Sequence, residues 1–248
     1  MKKIAAFVLA LTMVLSCSIT GSAKEIKKGS ARLISTENVK INGISTTVKT
    51  YDDQGFIVTT YKFTDNGLTE TDMKDAIKTI EAEMASDAPV PLASTPAATA
   101  TKKFSTSARS PSDASLTALQ YGTFCKSIDN NYAYLWVEGG VSKAEYTNPD
   151  YTPNSIQITQ IFETTGLQIS LSWPPSVTVG SQTIEVPLEP QTDVNFVTAH
   201  WPQISAAKAA ATGFSITATT RVDANFKNGS AVGHSSLTSY KQSFQTGW

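Results

Sequence analysis

The feature that most constrains the fold is a long alternation of apolar and polar side chains over residues 214–226. Phe214, Ile216, Val222 and Phe226 occupy alternate positions, and hydroxyl, amide and charged side chains fill most of the positions between them. Because successive side chains of a β-strand point to opposite faces, the pattern predicts one long strand with one buried face. Such a strand needs partner strands, which the rest of the sequence must supply.

Shorter strands are predicted throughout the C-terminal half. They are apolar or β-branched runs bounded by turn residues, at 132–137, 156–162, 167–173, 177–179, 184–188 and 194–201. Strands at such short intervals predict an antiparallel β-sandwich over residues 115–248. The alanine-rich residues 205–212 lie between Pro202 and Gly213. They predict instead a short helix in a crossing connection.

Residues 24–87 predict a small α+β unit. Asn42-Gly43 suits a two-residue hairpin turn between two strands, and residues 56–63 supply a third strand. Thr69 is placed to cap a helix. The apolar residues of that helix recur at helical spacing, at Met73, Ile77, Ile80 and Met84. We therefore expect a three-stranded sheet covered by one helix.

The composition changes between these two units. Residues 88–114 carry four prolines among Ala, Ser and Thr, and such side chains bury too little area to offset the cost of ordering the chain. The sequence therefore predicts a linker here. We expect a mainly β protein with an export signal at 1–23, an α+β domain at 24–87, the linker at 88–114 and the β-sandwich domain at 115–248.

The first residues have the layout of a bacterial export signal. Lys2 and Lys3 precede an apolar run and a small-residue tail, and the run is shorter than the ~20 residues that span a bilayer. Cleavage before Lys24 would release a secreted protein, which is the expected outcome. In the alternative, residues 14–17 resemble a lipobox, and Cys17 would carry a lipid anchor. No later segment is long and apolar enough to predict a transmembrane helix in the mature chain.

Charge and cysteine content exclude several classes of function. A net charge of −1 provides no basic surface for binding nucleic acid by counterion release. Cys125 is the only cysteine after the signal, so it predicts a packed thiol and no internal disulfide. His200 and His234 lie in no recognisable nucleophile or zinc motif. The sequence therefore favours a non-catalytic protein with no catalytic residues, metal or other cofactor.

One segment is a candidate binding surface. In a strand, Tyr132, Tyr134 and Trp136 share one face and aliphatic residues share the other. If only the aliphatic face is buried, the aromatic rings form a platform for sugar rings or peptide side chains. If both faces are buried, the rings belong to the core. Trp173 and Trp201 each precede a proline at a strand end and are candidate rim residues.

These features lead to two functional hypotheses and a weaker third. The first is a non-catalytic cell-envelope or extracellular protein whose β-sandwich binds a polysaccharide or a protein. The second is a secreted precursor of an enzyme or toxin, in which cleavage near Lys102, Lys103 and Arg109 removes the N-terminal unit as a propeptide. The third is a membrane-active protein, because the amphipathic strands at 166–173 and 177–188 suit a pore hairpin.

Overall fold

The computed structural model describes most of the chain after the signal. The described residues are 24–25, 31–86, 97–111, 113–129, 132–165, 170–172, 178–179, 183–202, 204–209, 215–228, 231–238 and 242–245. The predicted export signal, including Cys17, lies outside these ranges. Residue 87, at the end of the predicted α+β unit, and residues 88–96, the first part of the predicted linker, also lie outside them.

Strands dominate the described chain. In order, its N-terminal half contains β1 (Lys24–Glu25), β2 (Arg32–Ile41), β3 (Ile44–Asp53), β4 (Phe56–Phe63), α1 (Glu70–Ser86), β5 (Ala100–Arg109), β6 (Leu116–Asp129) and β7 (Tyr132–Tyr146). The remaining strands are β8 (Ser155–Thr165), β9 (Ser170–Ser172), β10 (Thr178–Val179), β11 (Thr183–Pro187), β12 (Gln191–Thr192), β13 (Phe196–His200), β14 (Ile204–Ala209), β15 (Ser215–Asn228), β16 (Ala231–Thr238) and β17 (Gln242–Gln245). The protein is therefore mainly β, as the sequence predicts. Within the described ranges, no helix has both the length and the apolar character needed to cross a membrane.

The described strands form two sheets. The larger sheet has the order β10-β9-β14-β7-β13-β4-β3-β2, with β6 also paired to β7 and β5 paired to β6. The smaller sheet has the order β1-β11-β8-β15-β16, with β12 paired to β8 and β17 paired to β15. The long alternating segment is β15, which lies in the smaller sheet between β8 on one side and β16 and β17 on the other.

The two sheets share one apolar core. Phe124 and Leu135 of the larger sheet and Ile158, Phe162 and Ile216 of the smaller sheet belong to the same cluster, each at most 2% exposed. The sheets therefore pack face to face as a β-sandwich. We call the face of the larger sheet that lies against the smaller sheet its inner face, and the opposite face its outer face.

The N-terminal strands and α1 form as the sequence predicts. Asn42 and Gly43 have φ values of 51° and 85°, the left-handed geometry of a two-residue hairpin turn. The amide of Asp72 donates a hydrogen bond to Thr69 Oγ1 at 3.2 Å and so caps the helix. The apolar stripe of α1 packs on the outer face of the larger sheet, with Phe196 of β13 in the same cluster.

The units that differ in composition are joined in one sheet. β4 pairs with β13, with Tyr61 opposite Phe196. Residues 100–109 differ from the linker expected at 88–114, because they form β5 and pair with β6. Local composition indicated too little apolar area for order, but the backbone N–H and C=O groups of β5 gain their partners from a neighbouring strand.

The helix predicted at 205–212 is wrong for residues 205–209, and residues 210–212 lie outside the described ranges. Residues 204–209 instead form β14, which pairs with β7 on one side and β9 on the other. Alanine favours a helix in isolation. Between two strands, however, the same backbone groups find ladder partners on both sides, and this tertiary context overrides local propensity.

Candidate functional site

Trp136 does not belong to an exposed aromatic platform. It lies in β7 between β6 and β14, is 2% exposed and donates its Nε1 hydrogen to Glu138 Oε1 at 2.7 Å. Leu135 and Val137, whose side chains point to the opposite face, are also buried. Both faces of the strand are covered at this point. This corrects the exposed-platform hypothesis for Trp136 in favour of the buried alternative.

Most of the other predicted site residues lie outside the described part of the structure. The backbone of Tyr132 and Tyr134 belongs to β7, but their side chains are not among the described ones. Trp173 and Cys17 lie outside the described residues altogether. Ligand binding by the tyrosines and Trp173, and lipidation of Cys17, therefore stay predictions.

Trp201 is partly buried at the margin of the core. Its ring centroid lies 6.0 Å from that of Phe104 and 5.1 Å from that of Phe162. The indole covers Gly140 so closely that a Cβ there would lie 2.2 Å from Trp201 Cε3. Its Nε1 donates to Ser142 Oγ at 2.8 Å. These contacts give Trp201 a packing role and make glycine necessary at position 140.

A neutral hydrogen-bond network crosses the core between the two sheets. Ser142 Oγ of β7 lies 2.6 Å from Gln160 Oε1 of β8 and 2.8 Å from Thr220 Oγ1 of β15. Gln120 of β6 joins through Thr220 at 3.1 Å, and its Nε2 donates to the carbonyl of Ala218 at 3.0 Å. The four side chains are fully buried. We call them the core network; none of its members titrates in the ordinary pH range.

A charged cluster lies on the outer face, where α1 covers the sheet. Lys143 of β7 has a side chain that is 5% exposed, and its Nζ lies 2.5 Å from Glu81 Oε1 of α1. The same ammonium stands 4.7 Å from the centroid of the Tyr121 ring, within the range of a cation–π contact. Glu145 and His200 complete this charged cluster. It ties the helix to the sheet through a buried positive charge.

Two members of the charged cluster have shifted pKa values. Burial, and then the negative charge of Glu81, raise the pKa of Glu145 to about 7, although Lys143 opposes the shift. Burial and the positive charge of Lys143 lower the pKa of His200. Compared with the same groups in the unfolded chain, folding therefore favours the neutral carboxyl of Glu145 and the neutral imidazole of His200. Shifted pKa values accompany functional sites as well as structural ion pairs.

Cys125 has no character of a catalytic nucleophile. It is 1% exposed, and its Sγ lies 3.8 Å from the carbonyl oxygen of Thr123. Burial, followed by the nearby Glu138 carboxylate, raises the pKa of the thiol to about 12. The reactive thiolate is therefore scarce at neutral pH. In the described part of the chain, no group of three or more His, Cys, Asp or Glu side chains is arranged to hold a metal ion.

A polar pocket lies where the N-terminal hairpin meets the segment that follows β11. It has a volume of about 350 Å³ and is formed by β3, β4 and residues 189–194. We call it the hairpin pocket. Its polar and aromatic lining includes Lys49, Tyr51, Thr60, Lys62, Glu189, Gln191 and Asp193. Pockets near this size lie at the lower end of the ~300–1,000 Å³ range of small-molecule sites.

Hydrogen bonds and an ion pair hold the walls of the hairpin pocket together. Asp53, at the end of β3, is 1% exposed and accepts a hydrogen bond from the amide of Glu189 at 2.5 Å. Within the later segment, Gln191 is 7% exposed and donates its Nε2 hydrogen to the Glu189 carbonyl at 2.8 Å, which orders that wall. Lys62 and Asp193 form an ion pair at 3.3 Å. The pocket therefore depends on both the N-terminal hairpin and the later segment.

The chemistry of the hairpin pocket suits a neutral polar ligand. Two cations, Lys49 and Lys62, face two anions, Glu189 and Asp193, so the lining has no net formal charge. Around them stand hydroxyl and amide groups and the ring of Tyr51. Sugars present both hydroxyl groups and an apolar ring face, and a lining of this composition can bind both.

Sequence reasoning missed the hairpin pocket and the charged cluster. The pocket combines residues 47–62 with residues 189–194, and the cluster combines α1 with β7 and β13. Neither set is a local motif. Asn42-Gly43 predicted the N-terminal hairpin, but no pattern in the sequence indicated that residues 189–194 lie beside it.

Comparisons with known proteins assign no family to this chain. No family model matches it. No curated protein matches it. Among solved structures, it is similar at 10% sequence identity to a protein described as "Pore forming protein", over 58% of this chain and 90% of that chain. The TM-score of that match is 0.15, so the likeness carries no argument about fold or function.

Proposed function

We propose that this is an exported, non-catalytic protein of the cell envelope or extracellular space that binds a polysaccharide in the hairpin pocket. The observation that carries the proposal is the pocket itself, about 350 Å³ in volume, with balanced charges and an aromatic ring. Export rests on the signal-like residues 1–23, with release as the main route and a lipid anchor on Cys17 as the alternative.

The hairpin pocket has walls from both parts of the chain, which supports an N-terminal unit that stays in the mature protein. Tyr51 and Lys62 come from that unit, whereas Gln191 and Asp193 come from the β-sandwich region. Removing residues 24–87 as a propeptide would destroy one wall and would also leave β13 without its partner β4. A binding function that uses both walls is therefore favoured over a removable propeptide.

Binding to isolated cell walls and to soluble polysaccharides tests the proposal directly. The chain beginning at Lys24 should bind, and Tyr51→Ala should weaken binding roughly tenfold, as loss of a central aromatic contact does. Lys49→Ala should also weaken it, and because this side chain is exposed, the variant is not expected to disturb folding. Tyr151→Ala is the control for loss of a tyrosine outside the pocket, since Tyr151 is 56% exposed and does not line it. Because Tyr51 also packs against the apolar core, thermal unfolding of Tyr51→Ala accompanies its binding measurement.

The outcomes separate the possible ligands. Binding that is lost after periodate oxidation of the wall but survives protease treatment supports a polysaccharide. The opposite result identifies a protein partner and overturns the proposal. Equal binding by the Tyr51→Ala, Lys49→Ala and Tyr151→Ala proteins would place the ligand elsewhere on the molecule. Absence of binding to any wall fraction would also reject it.

A further inference from the structure

The anchoring of α1 combines an apolar contact with one buried charge. Met73, Ile77 and Ile80 pack on the outer face of the larger sheet. Beside them, Lys143 reaches from the sheet to Glu81 of the helix, and its side chain is 5% exposed. An ammonium held so far from water needs a carboxylate partner. The ion pair between Lys143 and Glu81 therefore adds to the apolar attachment of this part of the helix.

Lys143 has two carboxylates within its surroundings. Glu81 belongs to the helix, whereas Glu145 lies two residues further along β7 and shares the outer face with Lys143. Strand geometry separates Lys143 and Glu145 along the chain by about 7 Å, which a lysine side chain can bridge. One buried ammonium can fully compensate only one of these two carboxylates.

Four charged groups act on Glu145 among the described residues: Lys74 and Glu81 of α1, Arg109 of β5 and Lys143 of β7. Other charged or titratable groups interact with these or lie on neighbouring elements: Glu70 and Glu83 of α1, Tyr61 of β4, Tyr121 of β6 and His200 of β13. Lys74 is already paired with Glu70 at 2.6 Å. Lys143 is thus the buried cation for which Glu81 and Glu145 compete.

We propose that α1 is a pH-controlled latch, in which loss of a proton from Glu145 to solvent draws Lys143 away from Glu81 and loosens the second half of the helix. With Glu145 neutral, Lys143 binds Glu81 and the helix is held on the sheet. With Glu145 ionised, Lys143 pairs within its own strand. Glu81, whose side chain is 33% exposed, then turns to water at little cost.

The ionisation behaviour of Glu145 sets the pH range of the latch. Its pKa is raised to about 7 by burial and by Glu81, so the proton leaves close to neutral pH. The folded state holds this proton more tightly than the unfolded chain, whose ordinary value is 4.5. The latch is therefore closed below this range and opens as the pH rises through about 7. This behaviour does not depend on the hairpin pocket.

Hydrogen exchange on the chain from Lys24 onward measures the latch. Protection factors for residues 77–84, corrected for the intrinsic pH dependence of exchange, should fall roughly tenfold more than those of β6 between about pH 5.5 and about pH 8.5. Protection of β6, in the core of the sheet, follows the global free energy of unfolding and serves as the reference. An equal fall in the two segments would mean global destabilisation alone and would overturn the latch.

Three variants identify the group responsible. Glu145→Gln should abolish the fall. Glu37→Gln makes the same change at an exposed carboxylate of β2, and the fall in helix protection should persist in this variant. Glu81→Gln should give low protection of the helix at both pH values. If Glu145→Gln fails to fold, the wild-type series and the Glu81→Gln protein still decide the question. Protection that is independent of pH in the wild type, or a fall that persists in Glu145→Gln, would refute the proposal.

Discussion

Ser142 and Lys143 are neighbours in β7, yet they bury polar groups in two different ways. Ser142 points to the inner face and joins the core network with Gln160 and Thr220. Lys143 points to the outer face and joins the charged cluster with Glu81. The first arrangement satisfies polar atoms with neutral hydrogen bonds, and the second depends on ionisation. One strand thus carries a hydrogen-bond network of neutral side chains on one side and an ion pair on the other.

The two faces of β7 therefore contribute to stability in different ways: through hydrogen-bond geometry in the core network and through ionisation in the charged cluster. In the core network, stability depends on whether each donor finds its acceptor, and that does not change with pH. In the charged cluster, the same sheet is stabilised or destabilised by the protonation of Glu145 and His200. Variants on the two faces should therefore differ in their pH dependence as well as in magnitude.

The largest effect is expected at Gly140, beside Trp201. Gly140→Ala would place a Cβ 2.2 Å from the indole ring and force Trp201 away from Ser142. We expect a loss of about 3 kcal/mol in the free energy of unfolding, typical of severe overpacking. Denaturant unfolding followed by tryptophan fluorescence measures it, and the loss should be equal at acidic and alkaline pH.

Gly139→Ala is the matched control for this prediction. Gly139 has a φ of 57°, and a Cβ at this position would meet no atom within 4 Å. The substitution should therefore cost only the backbone strain of about 1 kcal/mol. If the two alanine variants were equally stable, the close contact between Gly140 and Trp201 would not exist in solution.

The second-largest effect on stability is expected for Glu145→Gln in the charged cluster. Because the folded-state pKa of Glu145 lies above its ordinary value of 4.5, its contribution to stability is complete below about pH 4.5 and lost as the pH rises through about 7. Glu145→Gln should therefore be about 2 kcal/mol more stable than the wild type at alkaline pH. At acidic pH the two should be similar. Thermal unfolding across this range checks the sign, and a variant less stable than the wild type at alkaline pH would contradict it.

A somewhat smaller effect is expected for the core network. Ser142→Ala removes a partner from Gln160, Thr220 and Trp201 and should cost about 1.5 kcal/mol. The loss should not vary with pH. Ser107→Ala, at an exposed position of β5, is the control and should change little. A loss for Ser142→Ala that grew or shrank with pH would show that the two faces of β7 are coupled.

The smallest effect is expected at His200. Its pKa is lowered by burial and by Lys143, so the folded state binds the imidazole proton less tightly than the unfolded chain does. The stability that the neutral imidazole permits is therefore lost as the pH falls through the ordinary value of 6.5. His200→Gln should show a shallower decline on the acidic side than the wild type. Unfolding of both proteins between neutral and acidic pH measures the difference, and identical slopes would contradict the prediction.

Several elements could be predicted from local patterns alone. The alternation over 214–226 corresponds to β15, and Asn42-Gly43 forms the expected hairpin turn. Thr69 caps α1, and the apolar stripe of the helix is buried where its spacing predicts. These features succeed because side-chain periodicity, turn geometry and capping involve residues close together in the chain.

Pairing between segments that are distant in the chain determined the features that local patterns did not predict. Residues 204–209 form a strand against alanine's helical preference, and residues 100–109 form a strand in a segment with the composition of a linker. The burial of Trp136 depends on neighbours on both sides of β7. Composition does not show which strands will be adjacent, so it could not distinguish a buried aromatic row from an exposed one.

The sequence by itself determined that this protein is mainly β, with strands of defined period, a helix capped by Thr69 and the hairpin turn at Asn42-Gly43. The tertiary structure alone decided where its chemistry lies. It brought Tyr51 next to Gln191 in the hairpin pocket and placed Lys143 beneath Glu81 of the helix. The physical reason is that secondary structure follows from local hydrogen bonding and periodicity, whereas pockets and shifted pKa values arise from groups that only folding brings together.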